Sequence, residues 1–317
     1  YMAIRRPMKV PTDATKVFQP VARTGTGSAI TVTTTLNATD TSLTMLRDGG
    51  NYNPFCARLI GSGKYLTPND TVAEISNSTV IQFDASDSVK WPAGSSFTGS
   101  GNYADTNYAN YFFARRPNFH DVVCYTGTGS ARTVAHNLTV VPELMIVKSR
   151  SFSSNWQVYS AATTATKYLE LNTTSSATTV STRWNDTAPT SSVFTVGTSG
   201  GVNNNGSTYV AYLFATCAGV SKVGSYTGNG GTQAIACGFT GGARFVLIKR
   251  TDSTGSWWVW DTARGMVAGT DPRLALNSTA AETNNNWVYT TSGGFQIVTS
   301  DATINASGGS YIFLAIA

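Results

Sequence analysis

The chain contains three copies of one sequence pattern, each about 100 residues long. The first anchor of the pattern, T-G-T-G-S-A, occurs at residues 24–29 and 126–131 and returns as T-G-N-G-G-T at residues 227–232. A period of this length exceeds that of solenoid repeats and matches that of a small domain. We therefore expect a string of self-contained domains at residues 18–117, 118–217 and 218–317.

Two further anchors recur in the same order and support these boundaries. The second anchor, K-Y-L-x-x-N or its variant R-L-A-L-N, lies at residues 64–69, 167–172 and 273–277. The third anchor is a Tyr-led closing segment at residues 108–114, 209–215 and 311–317. Residues 1–7 resemble residues 111–117, so residues 1–17 are predicted to be the closing strand of a missing upstream repeat plus a linker.

Composition and patterning both favour β-structure. Charged residues make up 12% of the chain, about half of the usual share, while Thr and aromatic residues suit strands and Gly and Asn suit turns. Trp257 and Val259 are predicted to share one face of a strand, with Trp258 and Trp260 on the other. The glycine-rich anchor predicts a hairpin in which Gly127 and Gly129 supply positive φ angles. The expected fold class is all-β, with three tandem β-sandwich or jelly-roll-like domains.

Several partners are not expected from the composition. The net charge is +5 with a pI of about 9.0, but the basic residues are scattered, so we expect no nucleic-acid partner. No apolar stretch reaches 18 residues, and membrane insertion is not expected.

The four cysteines do not recur with the repeat and are interpreted as free thiols of a protein made in a reducing cytoplasm, the alternative being a Cys217–Cys237 bridge.

The sequence predicts no catalytic residue, no metal site and no cofactor. Glu74 and Glu282 occupy equivalent positions, and we interpret this repeated Glu as a cap or hydrogen-bond anchor because no second acid accompanies it. The only histidines are His120 and His136, and no G-x-S-x-G elbow frames a serine. The chain is therefore expected not to be an enzyme.

The best binding candidates are aromatic and lie in the last repeat. Indole and phenol rings stack on the C–H faces of sugars, while amides bind the hydroxyl groups. The candidate ligand-binding residues are Trp258, Trp260, Asn285, Trp287 and Tyr289. The alternative is that these rings pack between sheets or subunits.

The segments around residues 122–150, 242–265 and 304–317 resemble a family of repeated domains in tailed-bacteriophage virion proteins, often tail-fibre or tail-associated proteins. The resemblance covers residues 119–317, whereas the first repeat lacks the W-x-V-aromatic strand. It implies a structural, receptor-facing part of the virion, made in the host bacterial cytoplasm. It also implies a homotrimer that joins other virion proteins through the missing N-terminal part and possesses host-binding surfaces for a cell-surface glycan.

Other functions remain open on the sequence alone. The chain could be a capsid-attached head fibre or decoration protein, or a tailspike that binds or depolymerises polysaccharide. A secreted bacterial carbohydrate-binding module is a further alternative. The family brings no agreed catalytic residues, so the resemblance adds none.

Overall fold

The computed structural model describes residues 8–36, 38–93 and 98–317. The closing strand predicted at residues 1–7 lies outside the described residues. Within them the chain is mostly β-strand, with antiparallel sheets and a few short helices. The prediction of an all-β fold is confirmed.

The strands fall into three groups that follow the sequence repeats. The first group contains β1 (Phe18–Thr24), β2 (Ile30–Thr33), β3 (Thr41–Leu46), β4 (Phe55–Ala57), β5 (Lys64–Tyr65), β6 (Ile75–Ser76), β7 (Ser88–Trp91) and β8 (Asn107–Phe113). Three short 3-10 helices accompany them, at Ala14–Lys16, Arg58–Ile60 and Thr98–Ser100. The second group contains β9 (His120–Thr126), β10 (Arg132–Ala135), β11 (Leu144–Ser149), β12 (Gln157–Ser160), β13 (Lys167–Glu170), β14 (Thr178–Thr179), α1 (Ser181–Trp184), β15 (Val193–Val196), α2 (Gly200–Asn203) and β16 (Thr208–Phe214).

The third group follows nearly the same order and adds one strand. It contains β17 (Ser221–Thr227), β18 (Gln233–Ala236), β19 (Phe245–Arg250), β20 (Trp258–Asp261), β21 (Asp271–Ala275), β22 (Thr283–Asn285), β23 (Val288–Thr291), β24 (Gly294–Ile297), α3 (Ala302–Asn305) and β25 (Ser310–Ile316). The added strand is β23, which pairs with β24.

Each repeat forms a large antiparallel sheet with the same strand order. In the second repeat the order is β9-β16-β11-β12-β13-β14, and in the third it is β17-β25-β19-β20-β21-β22. The first repeat forms β1-β8-β3-β4, and the pairing of Phe55 with Leu66 continues this sheet to β5 and β6. The recurring order shows that the sequence anchors mark the same structural positions in each repeat.

The glycine-rich anchor joins two sheets, so the hairpin prediction is wrong. In the second repeat β9 pairs with β16, whereas β10 pairs with β15 in a separate small sheet. Gly129 has a φ of +77°, as predicted. Gly127 has no positive φ and is required for another reason, because a Cβ there would lie 2.3 Å from the carbonyl oxygen of Asn204. Small sheets β2-β7 and β18-β24-β23 occupy the same place in the other repeats.

A buried asparagine side chain binds the backbone of this glycine-rich turn. The Asn203 Oδ1 atom accepts a hydrogen bond from Thr128 N at 2.9 Å, and its Nδ2 group donates to the Ser130 carbonyl at 2.7 Å. Asn102 and Asn305 make the equivalent pairs of bonds in the other repeats. All three side chains are fully buried, so each turn depends on one amide.

In the second and third repeats the two faces of the large sheet pack against different partners, whereas in the first repeat both faces belong to one cluster. The outer faces of the second and third large sheets pack in their own repeats, in clusters that contain Phe194 and Phe295 of the small sheets. The inner faces of all three large sheets pack together in one continuous apolar cluster. Trp257 and Val259 belong to this central cluster, whereas Trp260 belongs to the outer one, so the predicted division of faces is confirmed.

The three repeats contact one another in a closed ring, first to second, second to third and third to first. At each contact two backbone hydrogen bonds cross between the repeats, and one of the two joins equivalent residues throughout; these bonds are Glu74 N to Arg150 O, Ala177 N to Thr251 O, and Glu282 N to Arg47 O. A second set of side-chain donors is also equivalent; these are Trp156 to Thr67 O, Trp257 to Glu170 O, and Asn53 to Ser278 O. The repeats thus surround the central cluster with pseudo-threefold symmetry.

This ring differs from the expected string of self-contained units. The central cluster takes apolar side chains from every repeat, for example Phe55, Tyr212 and Leu247. Phe55 and Tyr212 stack with ring centroids 4.1 Å apart across the first contact. Because burying apolar surface is the main favourable term in folding, each repeat depends on its neighbours for part of its stability.

The repeated Glu is an anchor between repeats, in agreement with the interpretation from sequence. The Glu74 carboxylate pairs with the Arg150 guanidinium at 2.5 Å, and Glu282 pairs with Arg47 at 2.7 Å. At the contact between the second and third repeats, Ala177 takes the place of the Glu.

All four cysteines are free thiols, with only Cys124 exposed, so the predicted free thiols are confirmed and the alternative Cys217–Cys237 bridge is absent.

Buried His120 predicts a loss of stability in mild acid. Its Nε2 atom lies 3.0 Å from the Thr41 hydroxyl and its Nδ1 atom 3.1 Å from the Leu213 carbonyl, between the first two repeats. Burial lowers the pKa of His120 from 6.5 to about 4. The folded state holds the neutral ring while the unfolded chain takes up a proton below pH 6.5, so the stabilisation is complete above pH 6.5 and is lost as the pH falls towards 4.

We expect the free energy of unfolding to fall by about 2 kcal/mol between pH 7.5 and pH 5, a range above the titration of ordinary carboxylates. Urea unfolding at the two pH values measures this change, and the His120→Gln variant should show a much flatter profile. His136→Gln is the control, because that ring is only partly desolvated. An unchanged pH profile in His120→Gln would contradict the prediction.

Candidate functional site

Two of the predicted site residues, Trp258 and Trp287, come together near the surface of the third repeat. Trp258 lies on the outer face of β20, and Trp287 lies where the chain passes from β22 to β23. Their ring centroids are 6.3 Å apart with an interplanar angle of 82°, and both rings are half-buried. The Trp258 indole N–H donates to the Thr303 hydroxyl at 3.0 Å, which fixes the orientation of that ring.

Arg273 completes this aromatic pair and was not predicted from the sequence. Its guanidinium carbon lies 4.0 Å from the Trp258 ring centroid and 3.5 Å from that of Trp287. Such cation–π contacts hold the planar group against the two rings. The only signal in the sequence is that the second anchor has Arg at this position, where the other repeats have Tyr65 and Tyr168.

Trp260 is not part of the site, so its assignment as a ligand-binding candidate is wrong. Its side chain has no exposed surface and packs in the outer cluster with Val246, Ile248 and Val288. Although Trp258 and Trp260 share a face of β20, Trp260 lies in the interior, where the small sheet covers the large one. The alternative interpretation, packing between sheets, is correct for this residue.

The structure places Asn285 beside the aromatic pair and Tyr289 on a different sheet. Asn285 ends β22 and pairs with Asp271 of β21. Tyr289 lies on β23 of the small sheet, pairs with Gln296 and alternates with buried Val288. Both Asn285 and Tyr289 are half-buried.

Asp271 positions the segment that carries Trp287. Its Oδ2 atom accepts hydrogen bonds from the backbone N–H of Trp287, at 2.8 Å, and of Val288. Burial raises the pKa of Asp271, and these hydrogen bonds and the nearby Arg273 oppose the increase only in part. Burial likewise lowers the pKa of Arg273, against the attraction of Asp301 and Asp271. The guanidinium remains charged at neutral pH because an arginine titrates far above this range.

The same place in the second repeat is taken by an arginine with two side-chain hydrogen bonds. Arg183 lies over the Tyr168 ring at 4.6 Å, and its Nε group donates to the Gln157 side chain at 2.7 Å. Its Nη1 group donates to the Ser199 hydroxyl. The third repeat alone therefore combines two indoles with an arginine that has few polar partners.

The described residues contain neither a metal cluster nor a membrane-spanning helix. Over 8–36, 38–93 and 98–317, no group of three His, Cys, Asp or Glu side chains is placed to hold a metal ion. In the same part of the chain no helix has the length and apolar character needed to cross a membrane.

The fold and the site together define an all-β repeat protein with an aromatic and arginine surface cluster in its last repeat. The chain belongs to the family described as a domain of unknown function, DUF7483, which matches residues 118–317. This single match covers both the second and the third repeat. No curated protein matches the chain.

Proposed function

We propose that the chain is a structural, non-enzymatic virion protein of a tailed bacteriophage, a tail-fibre or tail-tip component that spaces and presents host-binding surfaces. The observation that carries this proposal is the arrangement of three related all-β repeats around one apolar core. Such a body buries a core shared by all of its repeats, and only 12% of the chain is charged. The resemblance of residues 119–317 to phage virion domains supports the assignment to a virion.

Within this proposal, each repeat is a β-sandwich of one large and one small sheet, with boundaries at residues 18–117, 118–217 and 218–317. The chain is made in the bacterial cytoplasm and joins other virion proteins. A homotrimer remains part of the proposal, but it would have to form through surfaces other than the inner faces of the large sheets. Those faces are already buried by the chain's own repeats.

Immunogold labelling of intact particles tests this proposal. Antibodies raised against the chain should decorate the tails of the phage that encodes it, as seen by electron microscopy. Label on the capsid would instead support the alternative of a head fibre or decoration protein. Particles without label, with the chain present only as a free secreted protein, would overturn the proposal and favour a bacterial carbohydrate-binding module.

A second candidate, a polysaccharide-binding or depolymerising tailspike, is favoured in its binding part by the cluster of Trp258, Trp287 and Arg273. Depolymerisation would release new reducing ends when the chain is incubated with host capsule or lipopolysaccharide. We expect no increase in reducing ends, because the two carboxylates near the site already accept backbone hydrogen bonds, Asp271 from Trp287 and Val288 and Asp301 from Thr303, whereas hydrolysis needs a free acid and base pair.

A further inference from the structure

Buried polar atoms without hydrogen-bond partners lie together on two adjacent strands of the third repeat. The described part of the chain has eleven such atoms, scattered over the three repeats, and three of them fall on neighbouring strands: Asp271 Oδ1 and Arg273 Nη1 on β21 and Asn285 Oδ1 on β22. Buried polar atoms in native proteins nearly always have partners, and leaving one unpaired costs about 1–3 kcal/mol. Three such atoms in one place therefore point to a polar ligand.

The strand register places the three side chains on one face of the sheet. Asp271 pairs with Asn285, and Arg273 pairs with Thr283, in the antiparallel ladder of β21 and β22. Side chains that are directly opposite or two residues apart along a strand share a face. The contact between Arg273 and Trp258 identifies this face as the one that carries the aromatic pair.

The unpartnered atoms include both donors and acceptors. Arg273 donates one hydrogen bond, from Nε to the Thr283 hydroxyl at 3.1 Å, and pairs with no carboxylate within 4 Å among the described residues. The Asp271 and Asn285 oxygens can only accept. A hydroxyl group both donates and accepts, so neighbouring hydroxyl groups match this set.

A negatively charged ligand matches the set poorly. A carboxylate could accept from Arg273, but it would meet the oxygens of Asp271 and Asn285 without a proton to give them. Asp301 also attracts the Arg273 guanidinium, so two carboxylates already compensate the single positive charge. Like charges brought together in a partly buried site are destabilising.

The two indoles supply the apolar part of a sugar site. Trp258 and Trp287 are half-buried and lie at nearly right angles, so part of each side chain stays exposed beside the Arg273 guanidinium that contacts both rings. Sugar sites combine such rings with a few polar groups that fix orientation. Arg273 and Asn285 are also half-buried, so the set reaches the surface.

We propose that Trp258, Trp287, Arg273, Asp271 and Asn285 form a binding site for an uncharged pyranose sugar of a cell-surface glycan. This inference rests on the proposed function, because a receptor-facing virion protein requires such a surface. Arg273 and the two acceptor oxygens would bind adjacent hydroxyl groups, and the indoles would contact the C–H face of the ring.

A glycan array probed with the full-length chain tests the site. The array carries uncharged oligosaccharides of glucose, galactose, mannose, rhamnose and N-acetylglucosamine beside others that contain glucuronic or sialic acid. The strongest uncharged ligand is then titrated by calorimetry into the wild type and the variants. We expect binding to uncharged glycans and at least a tenfold loss of affinity in Arg273→Met and in Trp287→Ala.

Arg183→Met is the matched control, because Arg183 stacks on an aromatic ring in the second repeat but has hydrogen-bonded nitrogens. The affinity of this variant for the glycan should stay within twofold of that of the wild type. Thermal unfolding checks that each variant folds, and Asn285→Ala replaces Arg273→Met if that chain does not. Binding to acidic glycans only, to no glycan, or equally well in both variants that alter the site would overturn the inference. Labelled tails without glycan binding would leave the proposed function standing and remove only this site.

Discussion

Replacing Trp257 by alanine should lower the free energy of unfolding by about 3–5 kcal/mol, the range for a large aromatic residue in a packed core. The Trp257 side chain is 1% exposed and belongs to the central cluster shared by the three repeats. Its indole N–H also donates to the Glu170 carbonyl of the second repeat at 2.9 Å. The substitution therefore removes core volume and one bond between repeats, and urea unfolding measures the loss.

Two variants separate these contributions. Trp257→Phe retains most of the apolar volume but cannot donate to Glu170, so its loss should be about 1–3 kcal/mol. Trp287→Ala removes the same side chain from a half-buried position and should cost less than Trp257→Ala. An equal loss in Trp257→Ala and Trp287→Ala would contradict the assignment of Trp257 to a shared core.

Replacing Arg264 by methionine should also cost about 3–5 kcal/mol, because it leaves a buried carboxylate without its cation. Arg264 has no exposed side-chain surface, and its Nε group pairs with the Asp261 carboxylate at 2.5 Å. The same guanidinium reaches Glu282 at 2.8 Å, and the Tyr111 hydroxyl of the first repeat donates to Asp261 at 2.7 Å. This network closes the ring between the third and first repeats.

The pair Arg250–Asp252, which lies closer to solvent, provides the control. Its atoms lie 2.9 Å apart, but the Asp252 side chain is 39% exposed, so Arg250→Met should cost less than about 1 kcal/mol. The double variant Arg264→Met with Asp261→Asn should recover part of the loss, because the uncompensated charge is removed. A single Arg264→Met variant as stable as Arg250→Met would show that the buried network does not hold the ring closed.

Local pattern was enough to predict the strands and their faces. The two-residue alternation of a strand distinguishes Trp257 and Val259 from Trp258 and Trp260, and the structure confirms that distinction. The same alternation could not distinguish Trp258 from Trp260 in exposure. That difference depends on where the small sheet ends above the large one, which is a property of tertiary packing.

The closed ring of repeats and the role of Arg273 could not be predicted either, because both depend on residues that are far apart in the sequence. Arg47 and Glu282 are 235 positions apart, and no local pattern relates residues at that distance. The equivalence of Glu74 and Glu282 was visible, but the partners were not. Arg273 is a single basic residue whose role depends on two rings brought to it by neighbouring strands.

Because the three repeats are parts of one chain, equivalent positions in different repeats can carry different residues. In an assembly of identical subunits, a substitution in one copy appears in every copy and changes all equivalent surfaces at once. Here one second-anchor position is Arg273, while the equivalent residues remain Tyr65 and Tyr168. One third of the ring can therefore carry a specialised surface while the other two thirds keep Tyr at the equivalent position.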